Sequence, residues 1–202
     1  MAPPDSRTRQ HIVVGMLERV KRMRDALEVG ERVLIRSVRR SDRDEFLELM
    51  RVSGELHRPW SFPPTRPAEF DALVDRARSD DFMMLVAVRR SDDAIVGFIN
   101  LSQVFRGAFQ NAHLGYAVGA PYARQGYMTE ALELVIRHAF GRLGLHRLEA
   151  NIQPSNVASL ALAKRAGFRL EGFSPRYLKI DGQWRDHERW AIVAEEFERA
   201  RR

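Results

Sequence analysis

The chain has 202 residues, a net charge of +6 and no cysteine. The length suits one domain with a substantial core, and the absence of thiols excludes a disulfide framework and cysteine-based catalysis. No apolar run approaches the ~18 residues of a membrane span, and the N-terminus has no hydrophobic signal core, so we expect a cytoplasmic protein without a membrane segment.

The basic net charge does not predict nucleic-acid binding. Only three of the 33 basic residues are lysines (Lys21, Lys164 and Lys179), and the arginines alternate with acids, as in SVRRSDRDEFLE. No long basic run or RNA-binding signature is present. We therefore expect no direct nucleic-acid partner, although a mildly basic surface attracts acidic ligands.

Periodicity and turn residues predict the order of elements. Residues 1–30 are predicted to be an extension, first disordered and then helical, and residues 31–202 a single domain. The predicted elements of that domain are a strand at 32–38, a helix capped by Ser41 or Asp42, a proline-rich loop at 57–67, a helix at 67–78, a hairpin of strands 82–89 and 94–101, a strand at 112–118, a long helix from Thr129, a strand at 147–152, a helix at 156–166, a strand at 168–173 and a hairpin turning at Asp181 and Gly182. This order predicts an α/β (α+β) fold with one mixed sheet and helices on both faces.

The segment from Gly115 to Phe140 carries the strongest functional signal. An apolar strand is followed by a short loop and by a helical pattern that starts near Thr129. This arrangement directs loop N–H groups and the positive end of the helix dipole at one point, which binds phosphate without a metal. Gly126 allows close approach of a ligand, and Arg124 adds charge. An ordinary strand-to-helix turn fits the same pattern, and no Walker A or dinucleotide motif is present.

Residues 123–128, ARQGYM, are similar to the pyrophosphate loop Q/R-x-x-G-x-G/A of GNAT-superfamily N-acetyltransferases. Only the central glycine matches fully, because Ala123 and Met128 replace the usual residues. A second segment, residues 149–172, resembles the back half of a GNAT domain. The stretches QGYMTEAL and YLKIDGQWRDHERWAI resemble the RimJ/RimL-like branch of ribosomal-protein alanine N-acetyltransferases. The resemblance spans about residues 32–193.

The resemblance implies a single GNAT-like domain with acetyl-CoA, its co-substrate, held without a metal where two neighbouring strands splay. Backbone N–H and C=O groups lose their ladder partners where strands part, and the amides of the pantetheine arm can replace those partners. The residues implied to bind the cofactor are Val118, Arg124, Gln125, Gly126, Tyr127, Met128, Thr129 and Asn156.

Acetyl transfer needs a neutral amine, N–H donors for the oxyanion and a proton for the thiolate. The resemblance implies that Ser159 protonates the thiolate, that Glu171 is the general base, and that the backbone of Ala117 or Val118 donates to the oxyanion. Taken alone, Ser159 also fits a helix serine bonded to backbone, Glu171 a salt-bridged carboxylate, and Asn156 a helix N-cap. The rival bases are His113, Asp186, His187 and Glu188.

Aromatic residues of the proline-rich loop and of the last hairpin are candidate walls of an acceptor pocket: Trp60, Phe62, Tyr177 and Trp184. Each fits equally well as a core or loop anchor. The resemblance implies a protein N-terminus as acceptor, of ribosomal-protein type, and a monomer or homodimer. A small-molecule amine acetyltransferase and a non-catalytic CoA-binding domain stay open. The loop HRPWSF carries no acid, which disfavours a polyamine.

Overall fold

The structure is a computed structural model that describes residues 25–199. The disordered start predicted for the extension and most of its predicted helix fall in residues 1–24, outside the described residues. Within the described part of the extension, Glu28–Val29 pairs with the next strand. The end of the predicted extension therefore belongs to the sheet.

The described residues form eight strands and six α-helices. The strands are β1 (Glu28–Val29), β2 (Val33–Ser37), β3 (Phe82–Arg89), β4 (Ile95–Phe105), β5 (Asn111–Val118), β6 (Arg147–Ile152), β7 (Arg169–Ile180) and β8 (Gln183–Val193). The helices are α1 (Arg43–Val52), α2 (Gly54–His57), α3 (Pro67–Arg76), α4 (Tyr127–Gly141), α5 (Val157–Arg165) and α6 (Ala194–Arg199), with 3-10 turns at Arg40–Asp42 and Ala120–Tyr122. Within residues 25–199, none of the helices is both long and apolar enough to cross a membrane.

All strands lie in one sheet of order β1-β2-β3-β4-β5-β6-β8-β7. Every neighbouring pair is antiparallel except β5 and β6, which run parallel. Buried residues of α4 and α5 form one core on one side of the sheet, and buried residues of α1 and α3 form a second core on the other side. We call these two sides the α4 face and the α1 face. The mixed sheet with helices on both faces confirms the predicted fold.

Alternating strand residues feed the two cores, since successive side chains of a strand point to opposite faces. On β2, Val33 and Ile35 belong to the α4-face core, whereas Leu34 belongs to the α1-face core. The α1-face core is centred on Phe46, whose ring centroid lies 5.1 Å from that of Phe70. The four predicted buried residues of the first helix, Phe46, Leu47, Leu49 and Met50, are all buried.

Several predicted boundaries shift in the structure. The long helix begins at Tyr127 rather than near Thr129, because Gly126 takes the N-cap position with φ of 82°. The strand predicted at 168–173 extends to Ile180, since β8 pairs along it across two register shifts. The turn at residues 181–182 is confirmed, with φ of 48° and 75°.

The parallel pair β5 and β6 separates after three residue pairs. The last pair joins His113 to Glu149. Both strands continue, β5 to Val118 and β6 to Ile152, without pairing to each other. This confirms the predicted splay in the middle of the sheet.

Candidate active site

The edge of β5 presents backbone groups of alternate residues to the splay. The N–H of Gly119 donates to the carbonyl of Val96 on β4 at 2.8 Å. Hydrogen bonds of an antiparallel strand alternate in direction, so Tyr116 and Val118 turn their N–H and C=O groups towards β6. Ala117 turns its own groups towards β4. Of the two implied oxyanion donors, the geometry favours Val118, and it adds Tyr116.

The facing edge of β6 is open in the same way. The N–H of Ala194 donates to the carbonyl of His146 at 3.0 Å, which fixes the alternation on that strand. The backbone of Asn151 therefore faces β5 across the splay. A ligand that carries amides fits between these two edges, because each edge offers donors and acceptors without a ladder partner.

A histidine forms a hydrogen bond with one of these unpaired backbone groups. Nε2 of His57, a buried residue of α2, lies 2.8 Å from the carbonyl oxygen of Val118. A carbonyl only accepts hydrogen bonds, so Nε2 carries the proton and donates. The contact satisfies the C=O of Val118 and leaves its N–H for a ligand. No sequence signal pointed to His57, because the two residues are 61 positions apart and share no motif.

The loop before α4 has the form of an anion site. Arg124 and Gly126 both have positive φ, 61° and 82°. The first helical bond runs from the N–H of Glu130 to the carbonyl of Gly126. Within the described part of the chain, the N–H groups of residues 124–129 donate to no acceptor. The predicted residues Arg124, Gln125, Gly126, Tyr127, Met128 and Thr129 thus supply a ring of free donors at a helix N-terminus, which fits a pyrophosphate.

Arg32, beside β2, holds this loop from behind. Its Nη1 donates to the carbonyl of Gln125 at 2.9 Å, and its guanidinium lies 4.9 Å from the ring centroid of Tyr127. Its own N–H donates to the carboxylate of Glu130 at 2.8 Å. A Cβ placed on Gly126 would come within 3.0 Å of Arg32 Nη2. Arg32 therefore fixes the loop, and its guanidinium lies next to Gly126.

The side chains of the loop serve its packing. Met128 is buried and lies over Gly97 of β4. The side chain of Gln125 donates to the main chain of the preceding turn at 2.7 Å. The hydroxyl of Thr129 accepts from Arg165 of α5 at 3.4 Å. The main chain of this loop, more than its side chains, is available to a ligand.

The start of α5 lies on the α4 face of the splay. Oδ1 of Asn156 accepts from the N–H of Ser159 at 3.2 Å, so the predicted N-cap is confirmed. The hydroxyl of Tyr116 donates to the carbonyl of Ser159 at 3.2 Å and ties the helix to β5. Burial raises the pKa of Tyr116 to about 12, which keeps the phenol neutral. The tie brings the predicted proton donor beside a strand that lines the splay.

Glu171 is held by two arginines. Its carboxylate accepts two hydrogen bonds from Arg147 and another from Arg169. The hydrogen bonds from Arg147, more than any other contact, hold the pKa of the Glu171 carboxyl below its ordinary value. Arg147 belongs to the part of β6 that is still paired to β5. The carboxylate of Glu171 is therefore ionised and lies towards the end of the splay where β5 and β6 are still paired.

The rival bases have structural contacts of their own. His187 is buried, which lowers the pKa of its imidazole, and its Nδ1 lies 2.9 Å from the carbonyl of Arg185. Asp186 accepts from the N–H of Arg176 at 2.7 Å, and Glu188 accepts from the indole of Trp190.

Within residues 25–199, no group of three or more His, Asp or Glu side chains could hold a metal ion.

His113, the fourth rival, lies on the α1 face at the end of the paired segment. Its Nδ1 lies 3.1 Å from Nδ2 of Asn151 and 3.9 Å from a carboxylate oxygen of Glu149. An amide nitrogen donates, so Nδ1 of His113 is the acceptor in this contact. This polar group lies where β5 and β6 begin to separate.

The proline-rich loop borders the α1 face of the splay. Its main chain is tied to the end of β6, since the side chain of Gln153 donates to the carbonyl of Trp60 at 3.2 Å. Phe62 lines a cavity of about 450 Å³, together with His57 and Glu69. Among the other predicted wall residues, Tyr177 packs on His187 with ring centroids 6.2 Å apart, and Trp184 is 60% exposed.

The chain is similar to a known protein family and to several known proteins. The model of the acetyltransferase (GNAT) domain matches residues 32–169. A probable N-acetyltransferase of Bacillus subtilis, YjcK, is 31% identical over 81% of this chain and 95% of its own length. The [ribosomal protein uS5]-alanine N-acetyltransferase of Escherichia coli is 43% identical over 49% of this chain and 51% of that enzyme. Mycobacterium smegmatis RimJ, solved with CoA-disulfide, superposes with a TM-score of 0.76 at 30% identity, covering 81% and 83% of the two chains.

Proposed function

This chain belongs to the acetyltransferase (GNAT) family and is an acetyl-CoA-dependent N-acetyltransferase, and we propose that its acceptor is the N-terminal α-amine of a protein, of the ribosomal type. The observation that carries the binding of acetyl-CoA is a pair of neighbouring sets of free N–H groups. One set is the loop at residues 124–129, and the other is Val118 and Tyr116 in the splay. Similarity to the uS5-alanine enzyme and to RimJ supports the choice of acceptor.

The proposed reaction begins with attack of the amine nitrogen on the thioester carbonyl. The N–H group of Val118 or that of Tyr116, two residues away along the strand, stabilises the oxyanion, since both face the splay and have no ladder partner. Collapse of the tetrahedral intermediate breaks the carbon–sulfur bond. The hydroxyl of Ser159 gives its proton to the departing thiolate and regains one from water.

The proton that the amine loses goes to Glu171 in this proposal. Two arginines keep this carboxylate ionised and make it a weak base. A weak base suffices for an α-amine, whose ordinary pKa of about 7.7–8.0 leaves a sizeable neutral fraction at neutral pH. It would not suffice for lysine, with an ordinary pKa of about 10.4.

The cavity at the proline-rich loop supports a peptide more than a polyamine. Its one acidic lining residue, Glu69, accepts hydrogen bonds from Arg66, and Arg58 also lines the cavity. A polycationic acceptor would meet two arginines and no unpaired carboxylate there. We propose that Trp60, Phe62 and Tyr177 contact the residues that follow the acceptor amine.

We further propose that residues 1–30 are an N-terminal extension of the catalytic domain, whose strand Glu28–Val29 joins the sheet of that domain. We propose that the enzyme acts as a monomer or homodimer in the cytoplasm, with a ribosomal protein as its substrate and without direct contact to nucleic acid. These proposals rest on the composition of the chain and on its relatives.

One experiment tests the acceptor class. Purified protein is incubated with acetyl-CoA and with peptides that have free N-termini, with N-terminally blocked peptides that carry lysines, and with spermidine. Mass spectrometry then locates the acetyl group. We expect acetylation at the free α-amines and little on blocked peptides. Efficient acetylation of blocked peptides or of spermidine would overturn the α-amine assignment.

A further inference from the structure

The cavity at the proline-rich loop carries an arginine without an acidic partner. Arg58 directly follows α2 and lines this cavity of about 450 Å³. Its side chain is exposed and forms no ion pair or hydrogen bond with another residue of the described part of the chain. Glu55, the acid nearest to it in sequence, is also exposed and makes no ion pair with it. The guanidinium of Arg58 is therefore accessible and free to bind an anionic group.

The lining of the cavity has a net positive charge. Besides Arg58, it contains one more arginine and one acid, Arg66 and Glu69. These two bond to each other, with Nε of Arg66 2.8 Å from a carboxylate oxygen of Glu69. The hydrogen bond from Arg66 lowers the pKa of the Glu69 carboxyl, so the pair is ionised and its charges cancel. Arg58 is left in excess, and His57, the remaining ionisable lining residue, can add only positive charge.

The same cavity has an apolar wall beside this arginine. The guanidinium carbon of Arg58 lies 5.8 Å from the ring centroid of Phe62. A cation–π contact of this kind favours a guanidinium that lies against the ring. The edge of the group then presents parallel N–H donors, which match the two oxygens of a carboxylate. Pro63 and Pro64 continue the wall. This surface fits a side chain with a short apolar stem and a terminal carboxylate, which is glutamate or aspartate.

One side chain separates this cavity from the splay. His57 lines the cavity, and its Nε2 bonds to the carbonyl of Val118, whose N–H is a proposed oxyanion donor. The proline-rich loop is also tied to the end of β6 on the other edge of the splay, through Gln153 and Trp60. An extended peptide advances about 3.3 Å per residue. An acceptor amine at the splay therefore brings the residues that follow it within reach of Arg58.

We propose that Arg58 and Phe62 form a subsite for an acidic side chain of the acceptor, at one of the three residues that follow the N-terminal residue. The carboxylate binds the guanidinium of Arg58, and the stem of the side chain packs on the ring of Phe62. This subsite rests on the proposed function and adds to it a selection among protein N-termini. Sequences with an early Asp or Glu are preferred, and sequences with Lys or Arg at the same position are disfavoured.

The test uses the full-length enzyme and alanine-starting peptides that carry Glu, Gln or Lys at one of the three positions after the alanine. At one position, kcat/KM of the wild type should favour Glu over Lys about fivefold or more, and added salt should reduce this preference by screening. Arg58→Gln should abolish the preference, and Arg58→Glu should reverse it. The Kd of CoA, measured by calorimetry, should stay within about twofold of wild type, because Arg58 is exposed. The matched control is Arg51→Glu, at an exposed arginine of α1 outside the cavity, which should keep the wild-type preference.

Equal kcat/KM for the Glu and Lys peptides at all three positions would overturn the subsite, and so would a preference for Glu that persists in Arg58→Glu. Failure of the α-amine proposal is recognised separately, because blocked peptides or spermidine would then be the better acceptors. In that case, or if no acceptor reacts, the affinities of conjugates of CoA with the Glu and Lys peptides decide. The wild type must bind one Glu conjugate about fivefold more tightly than its Lys counterpart, and Arg58→Glu must reverse that order, or the subsite is rejected.

Discussion

The two faces of the splay differ in the polar groups that have no partner among the described residues. On the α4 face these are main-chain N–H groups, at Tyr116, at Val118 and along residues 124–129. On the α1 face they are buried side-chain oxygens, of Asn100 and Asn151, carried by separate strands. A main-chain site needs a backbone conformation, which one glycine in a short motif can specify. A side-chain site depends on the register of strands that are distant in sequence.

This difference explains why the loop that binds acetyl-CoA could be predicted from a short motif, whereas the arrangement of polar side chains on the α1 face could not. It also orders the expected effects of substitutions. Changes to the backbone geometry of the α4 face should abolish binding, and changes to charges at the edge of the α1 face should have modest effects.

Gly126→Asp should weaken CoA binding about 100-fold or more. The new carboxylate would lie beside Arg32, neutralise it and repel the phosphates. Calorimetry with CoA measures the loss. The matched control is Gly107→Asp, since Gly107 also has positive φ, 67°, but has open space around its Cβ position. Equal CoA affinity in the two folded variants would remove the assignment of the pyrophosphate loop.

Ser159→Ala should lower kcat with CoA affinity retained. General acid catalysis is worth roughly 10²–10⁴-fold, and the lower end is expected here because a thiolate leaves readily. Steady-state kinetics with calorimetry separates the two quantities. Ser155→Ala, at an exposed serine just before the cap of α5, is the control. A wild-type kcat in Ser159→Ala would leave the serine with only its main-chain contacts to Asn156 and Tyr116.

Glu171→Gln should lower kcat/KM about tenfold near pH 7. The loss should shrink as the pH rises past the pKa of the α-amine, because the substrate then arrives deprotonated. A pH profile of kcat/KM measures this. Glu196→Gln is the control, since Glu196 also binds Arg169 but not Arg147. A defect that stays constant up to about pH 9.5 would assign Glu171 to substrate positioning.

The smallest effect should be on stability. The folded state lowers the pKa of Glu171, so its contribution is present above the ordinary value of 4.5 and is lost as the pH falls through the folded value. Glu171→Gln should therefore lower Tm by about 1–3 °C at pH 7, and the difference should vanish under strongly acidic conditions. Thermal melts over that range measure it. A Tm difference that persists in acid would contradict the predicted loss of stabilisation by Glu171 at low pH.

The order of elements and the local devices could be predicted because they depend on neighbouring residues. Asn156 caps α5 through a bond to the residue three positions on, and residues 181–182 turn a two-residue hairpin. The length of β7 could not be predicted, because Pro175 breaks the strand pattern while β8 continues to pair beyond it. The role of His57 could not be predicted, since it exists only where α2 meets the end of β5.

The short β5–β6 ladder also divides the sheet into two plates. One plate is β1 to β5, and the other is β6, β8 and β7; three residue pairs join them in the sheet, and side-chain bonds such as those from Tyr116 to Ser159 and from Asn151 to His113 add to these pairs. A pantetheine chain that bonds to both edges of the splay completes the missing ladder and acts as an additional strand. The substrate is then part of the enzyme's own β-sheet, so amide exchange in β6, β7 and β8 should slow most when CoA binds.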